Sequence, residues 1–394
     1  MNIRLYILAA FAMAALSAAA SGIDDIVMEM ALKNPSVAAA RASCDADLAD
    51  AQAENSLEGI ELEGSFSSAG HGDKRWGVSI GQSFDWPGVY AARSKANQYR
   101  SEAFAFLYKV RIEQAAYDAR SALIRMAAAE AEVKVLRKAL ENMKRMSEIV
   151  EKAFGNGDVT ILEVHRLRIE RFATATRCAK AEAEAESARA AVRALNGGTL
   201  PDISSFDILA PAPPLPLEHY TATFREQNPS ALAGLSLARV AQQDVEVARR
   251  SALPSFKIAL SHEFEDMEHF NGFSIGISLP SWSPSRKVAA ARAKALAAKL
   301  DTESYELTAI NDMTGNHVKA SRLYSSLQEA ADTFDSGAYP ELLMIAYENG
   351  KLDVLSYLTE YNQYLDAAAD YQAQRVELAY ALAFLNRYNA TSWR

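Results

Sequence analysis

Long stretches without glycine or proline constrain this 394-residue chain more than any other feature. Three of them cover residues 89–154, 158–196 and 351–394. The chain has only 18 glycines and 12 prolines, about 8% of its residues against a typical ~12%. Because each stretch is several times longer than the ~12-residue average helix, the sequence predicts very long helices. An α/β enzyme, whose strand-to-helix turns are rich in glycine, is disfavoured.

Composition argues against further classes of protein. The net charge of −9 argues against an extended nucleic-acid surface, and a hydrophobic fraction of 49% argues against wholesale disorder. Two cysteines, Cys44 and Cys178, are too few for a disulfide framework. We expect both to be buried free thiols.

The first 20 residues have the pattern of a signal peptide. Arg4 supplies the positive charge, residues 5–16 are apolar, and residues 18–20 offer a small-residue cleavage site. The residues after that site include no cysteine in position for a lipid anchor, and no apolar run of ~20 residues that predicts a membrane-spanning helix. The sequence therefore predicts an exported protein that would enter a membrane only through β-strands.

The chain repeats itself with an offset of about 190 residues. The recurring pairs are Asn34-Pro35 with Asn228-Pro229, 77–81 with 272–276, 92–96 with 291–295, and Asn156-Gly157 with Asn349-Gly350. Because the pairs keep their order, we expect a duplicated unit, with repeats at 21–196 and 221–394 and a proline-rich linker at 197–220.

Both repeats predict the same elements. These are a helix (36–58; 230–253), a β-hairpin (59–86; 255–282), a very long helix (89–154; 285–346), an Asn-Gly turn (154–160; 347–353) and a helix of about 40 residues. Pro340 is expected to kink the second long helix. The fold class is thus mainly α, with long antiparallel helical hairpins and a small β part of four strands per chain.

Two heptad-like seams predict coiled-coil packing. They are Tyr117, Ser121, Ile124, Ala128, Ala131 and Val135, and Leu358, Tyr361, Leu365, Ala368 and Gln372. Their many small residues favour close packing of several helices around a common axis. The Ala/Glu alternation at 179–186 predicts a solvated face.

The short strands alternate large apolar residues with small or polar ones, over the 9–11 residues that cross a bilayer when tilted. The positions predicted to face lipid are Trp76, Val78, Ile80, Phe84, Phe273, Ile275, Ile277 and Leu279. Trp76, Trp86 and Trp282 fall at strand ends, where interfacial aromatic residues lie. Four strands cannot close a barrel, so several chains must contribute: two would give eight strands, three would give twelve. A soluble sandwich is the alternative.

The sequence offers no catalytic centre. Ser79 and Ser274 each stand in a G-x-S-x-G pattern, but the strand alternation continues through both, whereas a nucleophile elbow needs a strand-to-helix turn. The six histidines lack metal-ligand spacing, and the closest candidate is His262 to His269, an acidic hairpin loop that could attract cations. A solvated loop is the other interpretation, and we favour it. We therefore predict no enzyme activity, no cofactor and no metal site.

The residues of the two Asn-Gly turns are of the types that end one helix and begin the next. Gly157 and Gly350 suit a positive φ, Thr160 and Glu163 form a capping-box pattern, and Asp353 is an N-cap candidate. Any helical hairpin would favour these residues. A docking surface at an exposed helical end is the other interpretation.

In this order of elements the chain resembles the outer-membrane efflux protein family, the TolC-like channels of tripartite export systems. The resemblance covers the mature chain and rests on residues 82–88 with Ala92-Arg93, on 154–164 and on 347–355. It implies a homotrimer with a twelve-stranded barrel in outer-membrane lipid, a periplasmic α-barrel tunnel with an equatorial segment formed by the linker, and partners in a periplasmic adaptor and an inner-membrane pump. The resemblance assigns adaptor docking to Gly155, Asn156, Gly157, Asp158, Asn349, Gly350 and Asp353.

One departure concerns the aperture of such a tunnel. Some relatives carry acidic residues one and two turns after the second Asn-Gly turn. Here those positions are approximately Ser356 and Thr359, with Glu360 beside them. The function implied is passive export of small molecules or metal ions. The alternatives are type I protein secretion and a periplasmic coiled-coil adaptor or scaffold without membrane strands.

Overall fold

A computed structural model describes residues 22–68, 74–265, 268–279 and 284–388. The predicted signal peptide and Trp282 lie outside the described residues. Residues 22–33 form a first helix, α1. The other elements are α2 (Pro35–Ala53), β1 (Glu61–Ser68), β2 (Lys74–Phe84), α3 (Pro87–Asn156), α4 (Ile161–Leu195), α5 (Leu217–Gln227), α6 (Pro229–Arg250), β3 (Ser255–Glu265), β4 (Glu268–Ser278), α7 (Pro284–Phe334), α8 (Tyr339–Glu348) and α9 (Val354–Asn386).

The chain divides into two compact units, and each takes segments from both sequence repeats. Of the described residues, the helical unit comprises 22–38, 111–227 and 309–388. The sheet unit comprises Ala39–Val110 and Asn228–Thr308.

The element order is similar in the two halves of the chain, because α1-α2-β1-β2-α3-α4 is followed by α5-α6-β3-β4-α7-α8-α9. The short helices α1 and α5 were not predicted. Each ends beside an Asn-Pro pair, and the asparagine side chain caps the helix that follows: Asn34 accepts from the Ser36 N–H at 3.0 Å, and Asn228 from the Ser230 N–H at 2.7 Å. Pro35 and Pro229 then occupy the first helical position, where a missing N–H costs nothing.

The second long helix is interrupted, which corrects the prediction of one kinked helix over 285–346. Helix α7 ends at Phe334 and α8 begins at Tyr339. Gly337 lies in the break with φ of +58°, a conformation that only glycine adopts readily. Pro340 stands in the first turn of α8, so it starts a helix and does not kink one.

The core of the helical unit consists of narrow seams between long helices. Of the second predicted seam, Leu358, Tyr361, Leu365 and Ala368 are buried, as expected. In the first seam only Ile124 is buried; its partly buried neighbours pack with it near Ala383 on α9. The face of α3 that contacts α4 is a different one. It comprises Ala119, Leu123, Met126, Ala129 and Val133, and it packs against Ala181, Ala185, Ala188 and Val192.

The Ala/Glu alternation in α4 therefore has two roles. Ala181 and Ala185 are buried in the α3–α4 seam. The glutamates between and beside them form exposed ion pairs with arginines: Glu182 with Arg137 at 2.8 Å, and Glu184 with Arg125 at 2.6 Å. Exposed pairs of this kind contribute roughly 0–1 kcal/mol each, so burial of the small residues decides the packing.

The four strands form one antiparallel sheet in the order β1-β2-β3-β4, within the sheet unit. The central pairing joins the two repeats, with Ile80 opposite Leu260. The strand ends that lead to helices, at the start of β1 and β3 and at the close of β2 and β4, lie together at one end of the sheet, and the opposite strand ends lie together at the other. Among the described residues, no helix is both long and apolar enough to span a membrane.

Both cysteines are free, but only Cys178 is buried; Cys44 is half-buried, so the expectation of two buried thiols was wrong for Cys44. Burial raises the pKa of each thiol, and neighbouring carboxylates add to the effect.

The α3–α4 seam yields the first test. Ala185→Leu should lower the free energy of unfolding by about 1–3 kcal/mol, because the added methylenes must enter a filled seam. Ala183→Leu, the same change at an exposed position of the same helix, should have little effect. Thermal or denaturant unfolding of the full chain followed by circular dichroism measures both. Equal effects would contradict close α3–α4 packing at Ala185.

Candidate functional site

The first Asn-Gly turn joins α3 to α4 and is called the first tip (residues 154–160). Gly157 has φ of +82°, its N–H donates to the Phe154 carbonyl at 3.1 Å, and the Asp158 N–H donates to the Ala153 carbonyl at 3.0 Å. This pair of bonds is the Schellman ending of a helix. Thr160 then caps α4: its N–H donates to the Glu163 carboxylate at 2.7 Å, and its hydroxyl accepts from the Glu163 N–H at 3.3 Å.

The second tip (residues 347–353) joins α8 to α9 and repeats this chemistry. Gly350 has φ of +65°, and its N–H donates to the Tyr347 carbonyl at 2.9 Å. The Lys351 N–H donates to the Ala346 carbonyl, also at 2.9 Å. Asp353 is the N-cap of α9, as predicted, and accepts from the Ser356 N–H at 2.7 Å. Hydrogen bonds from the Ser356 backbone and side chain hold the pKa of the Asp353 carboxyl below its ordinary value.

Both tips close over one apolar cluster, which we call the tip core. Its buried members are Ala139, Met143, Met146 and Val150 on α3, Val164 and Leu167 on α4, Leu343 and Met344 on α8, and Val354, Tyr357, Leu358, Tyr361 and Leu365 on α9. Four helices therefore meet beneath the two turns. The turns are held by packing as well as by their own hydrogen bonds.

Stacked tyrosines in the tip core were not anticipated from the sequence. The Tyr357 and Tyr361 rings are nearly parallel, with centroids 5.7 Å apart, and Tyr347 lies 6.0 Å from Tyr357. The Tyr361 hydroxyl accepts from Asn142 at 3.1 Å, and burial raises its pKa to about 12. The Tyr357 hydroxyl is buried without a hydrogen-bond partner among the described residues, and its pKa is raised even further by burial. The four-residue spacing of the tyrosines in α9 was the available signal.

All seven residues predicted to form the docking surface are exposed. Large apolar side chains accompany them at the surface. They are Phe154, Ile161 and Leu162 at the first tip and Ile345 and Leu355 at the second. Exposed turns surrounded by apolar side chains are suited to contact with another protein.

The three aperture candidates have different environments. Ser356 is half-buried in the first turn of α9, and Thr359 is exposed with its hydroxyl bonded to the Leu355 carbonyl at 2.8 Å. Glu360 accepts a hydrogen bond from the Tyr339 hydroxyl at 3.1 Å, so its carboxylate is tied to the start of α8. This Tyr339–Glu360 bond was not predicted from the sequence, because Tyr339 was expected to lie within one continuous long helix.

The sheet has one large apolar face and one small polar face. Seven of the eight positions predicted to face lipid are exposed, with Ile275 at 65% and Leu279 at 74%, whereas Phe84 is half-buried. The opposite face consists largely of Gly, Ser and Ala together with ion pairs: Arg75 contacts Glu263 at 2.8 Å, and Lys257 pairs with Glu61. Exposed apolar side chains of this size on one face of a sheet mark an interaction surface, for lipid or for another protein.

The two G-x-S-x-G serines lie within strands. Ser79 pairs with Ser261, and Ser274 pairs with Ala259. Neither stands at a strand-to-helix turn, so the nucleophile-elbow geometry is absent at both. Among the described residues, no group of three or more His, Cys, Asp or Glu side chains is placed to hold a metal ion.

Solved structures share this fold across nearly the whole chain. The Campylobacter jejuni CmeC outer-membrane channel matches with a TM-score of 0.74 at 17% identity, over 93% of this chain and 85% of that one. The outer-membrane channel OprN matches with a TM-score of 0.73 at 19% identity, over 94% and 91%. The Vibrio cholerae outer-membrane protein VceC matches with a TM-score of 0.71 at 14% identity, over 93% and 95%.

The chain has the fold of the TolC-like outer-membrane efflux channels. The resemblance drawn from the sequence is thereby confirmed at the level of fold. No family model and no curated protein sequence matches the chain. The similarity therefore lies in the order and length of the secondary-structure elements.

The glycines of the first tip provide a matched pair of variants. Gly157→Ala should lower the free energy of unfolding by about 1–2 kcal/mol, because φ of +82° is unfavourable for a residue with a Cβ. Gly155→Ala, two residues earlier in the last turn of α3, should raise stability by roughly 0.5–1 kcal/mol, since its Cβ meets open space. Denaturant unfolding measures both. A Gly157→Ala variant as stable as the wild type would contradict the Schellman geometry.

The Asp353 cap predicts a pH effect of defined sign. Because the folded pKa is lowered, the charged carboxylate stabilises the fold above the unfolded pKa of about 4, and this stability is lost as the pH falls through the folded pKa. Asp353→Asn keeps a capping side chain but removes the charge. The wild type should therefore melt higher than the Asn variant at pH 7, and the difference should shrink as the pH falls below the unfolded pKa. A difference that does not shrink on acidification would contradict the charged cap.

Proposed function

We propose that this chain is the outer-membrane exit duct of a tripartite efflux system and works as a homotrimer. The observation that carries the proposal is the two-faced sheet, which presents large exposed apolar side chains on one side and small polar ones on the other. The shared fold supports it, because the three solved structures compared above are outer-membrane proteins.

The number of chains follows from the strands. In lipid every backbone N–H and C=O must be paired, so the edge strands β1 and β4 of the described sheet need partners. Joining β4 of one chain to β1 of the next satisfies both edges. Two chains would give eight strands and a filled interior, whereas three give twelve and leave room for a channel.

The small polar face would then line the lumen. Its Gly and Ser residues leave space, and the Arg75 and Lys257 ion pairs are compatible with water. Such a surface encodes little chemical selectivity. The duct would pass whatever an inner-membrane pump delivers, which we propose to be small molecules or metal ions; protein export through a type I secretion system is the alternative within the same architecture.

The tips are proposed to meet a periplasmic adaptor. They combine backbone fixed by Schellman bonds and caps with exposed apolar side chains such as Leu162 and Leu355. We propose that the helical hairpins form a periplasmic tunnel whose aperture lies near Ser356, Thr359 and Glu360. Here the Tyr339–Glu360 hydrogen bond would restrain α8 against α9.

A periplasmic scaffold without membrane strands is the competing function. A scaffold in water would leave the Ile275 face of the sheet exposed to solvent, which the hydrophobic effect disfavours.

Adjacent residues on β4 distinguish these functions. Ile275→Lys places a charge on the apolar face and should cost roughly 2–4 kcal/mol if that face contacts the bilayer midplane. The variant should therefore be depleted from the outer membrane. Ser274→Lys places the same charge on the polar face and should assemble normally while changing the ion selectivity of the pore.

Membrane fractionation and planar-bilayer conductance measure these outcomes. A chain that fractionates with soluble periplasmic proteins, or equal tolerance of both lysines, would contradict a membrane-spanning sheet.

A further inference from the structure

Three polar side chains interrupt the apolar face of the sheet near the β3–β4 connection. On β3, His262 follows Ile258 and Leu260 along that face, and on β4, His269 and Asn271 precede Phe273. His262 stands opposite Asn271, and Phe264 stands opposite His269. Both histidines are exposed. The efflux function proposed above uses none of these three residues.

The two imidazole rings meet nitrogen to nitrogen. His262 Nε2 lies 3.2 Å from His269 Nδ1, and the ring centroids are 5.3 Å apart. The ring planes are inclined to each other by 28°, and the 3.2 Å contact joins one ring nitrogen of each residue. The contact is a hydrogen bond with one proton between two nitrogens.

Asn271 selects the tautomer of His262. His262 Nδ1 lies 2.8 Å from the Asn271 Oδ1, an acceptor, so Nδ1 carries the proton and donates it. His262 Nε2 is then the free lone pair. A histidine whose second nitrogen donates to a side-chain oxygen is the usual arrangement of a metal-ligating histidine, because that bond orients the ring.

We propose that His262 and His269 form a two-histidine site for a borderline transition-metal cation, with Cu²⁺ bound most tightly. At metal–nitrogen distances of about 2.0–2.1 Å, two ligands at 90–110° are roughly 2.8–3.4 Å apart. The observed 3.2 Å lies within that range. Imidazole favours Cu²⁺, Ni²⁺ and Zn²⁺, in which Cu²⁺ is strongest by the Irving–Williams order. On binding, the His269 proton moves from Nδ1 to Nε2, and water completes the coordination.

Charge around the hairpin favours a cation. Glu263, Glu265 and Glu268 flank the two histidines in sequence, and Arg75 partly offsets their charge by pairing with Glu263 at 2.8 Å and with Glu265 at 3.5 Å. The local excess of negative charge raises the concentration of cations near the site.

The site lies toward the strand ends that do not lead to helices, and a bound metal would join β3 to β4 there. The metal chemistry does not depend on the efflux function. If the sheet spans the outer membrane, these strand ends are the ones that face the cell exterior.

The test is titration of the full chain, in detergent and without a polyhistidine tag, with copper(II) sulfate. Isothermal calorimetry should show one site per chain, and electron paramagnetic resonance should show nitrogen hyperfine coupling from two imidazoles. His262→Gln and His269→Gln should each weaken Cu²⁺ binding by about tenfold or more. Asn271→Ala should weaken it by about tenfold through loss of ring orientation.

His165→Gln, at an exposed histidine of α4, is the matched control and should bind like the wild type. Mg²⁺ should not compete, because it prefers oxygen ligands. Failure of the wild type to bind Cu²⁺ at micromolar concentration, or unchanged affinity in both glutamine variants, would overturn the site, whether or not the chain forms a channel.

Discussion

The structure depends on two requirements of the four-stranded sheet. The backbone groups of its edge strands need hydrogen-bond partners, and the side chains of its two faces need different surroundings. One face carries exposed isoleucine, leucine and phenylalanine, the other carries glycine and serine, and strands β1 and β4 leave their outer hydrogen-bonding groups at the edges. An apolar surrounding suits the first face and water suits the second. We propose an assembly of several chains around a wet interior, which would give each face and each edge its appropriate neighbour. The membrane barrel proposed here follows from that requirement.

In the helical unit, long helices end and new ones begin while backbone groups at the helix ends remain hydrogen-bonded. Gly157 and Gly350 close α3 and α8 with the same pair of backbone bonds, and Thr160 and Asp353 cap α4 and α9. The recurrence of this chemistry, 193 residues apart, is what the duplicated sequence preserves. Beneath the turns the packed tip core keeps both in place, so that exposed side chains are presented on rigid backbone.

Much of the fold could be predicted because it rests on local rules. Stretches free of glycine and proline became α3, α4 and α9, period-2 alternation became the strands, and Asn-Gly pairs became the tips. The interrupted helix was missed because Pro340 was interpreted as a kink, while Gly337, with its positive φ, was the stronger signal.

Other features depend on contacts between distant segments. The Tyr339–Glu360 bond exists only because α8 restarts at a new position, and the His262–His269 contact requires the register of β3 against β4. The sequence suggested a solvated acidic loop at the histidines, since spacing alone does not show that two ring nitrogens converge. Likewise, the sequence did not show which face of α3 is buried against the alanines of α4, because that depends on how the two helices pack.

The central claim is that three chains share one membrane barrel, and the number of chains in the membrane tests it most directly. Native mass measurement of the chain extracted from the outer membrane in detergent should give a species of three copies. A monomer recovered with soluble periplasmic proteins would contradict the account.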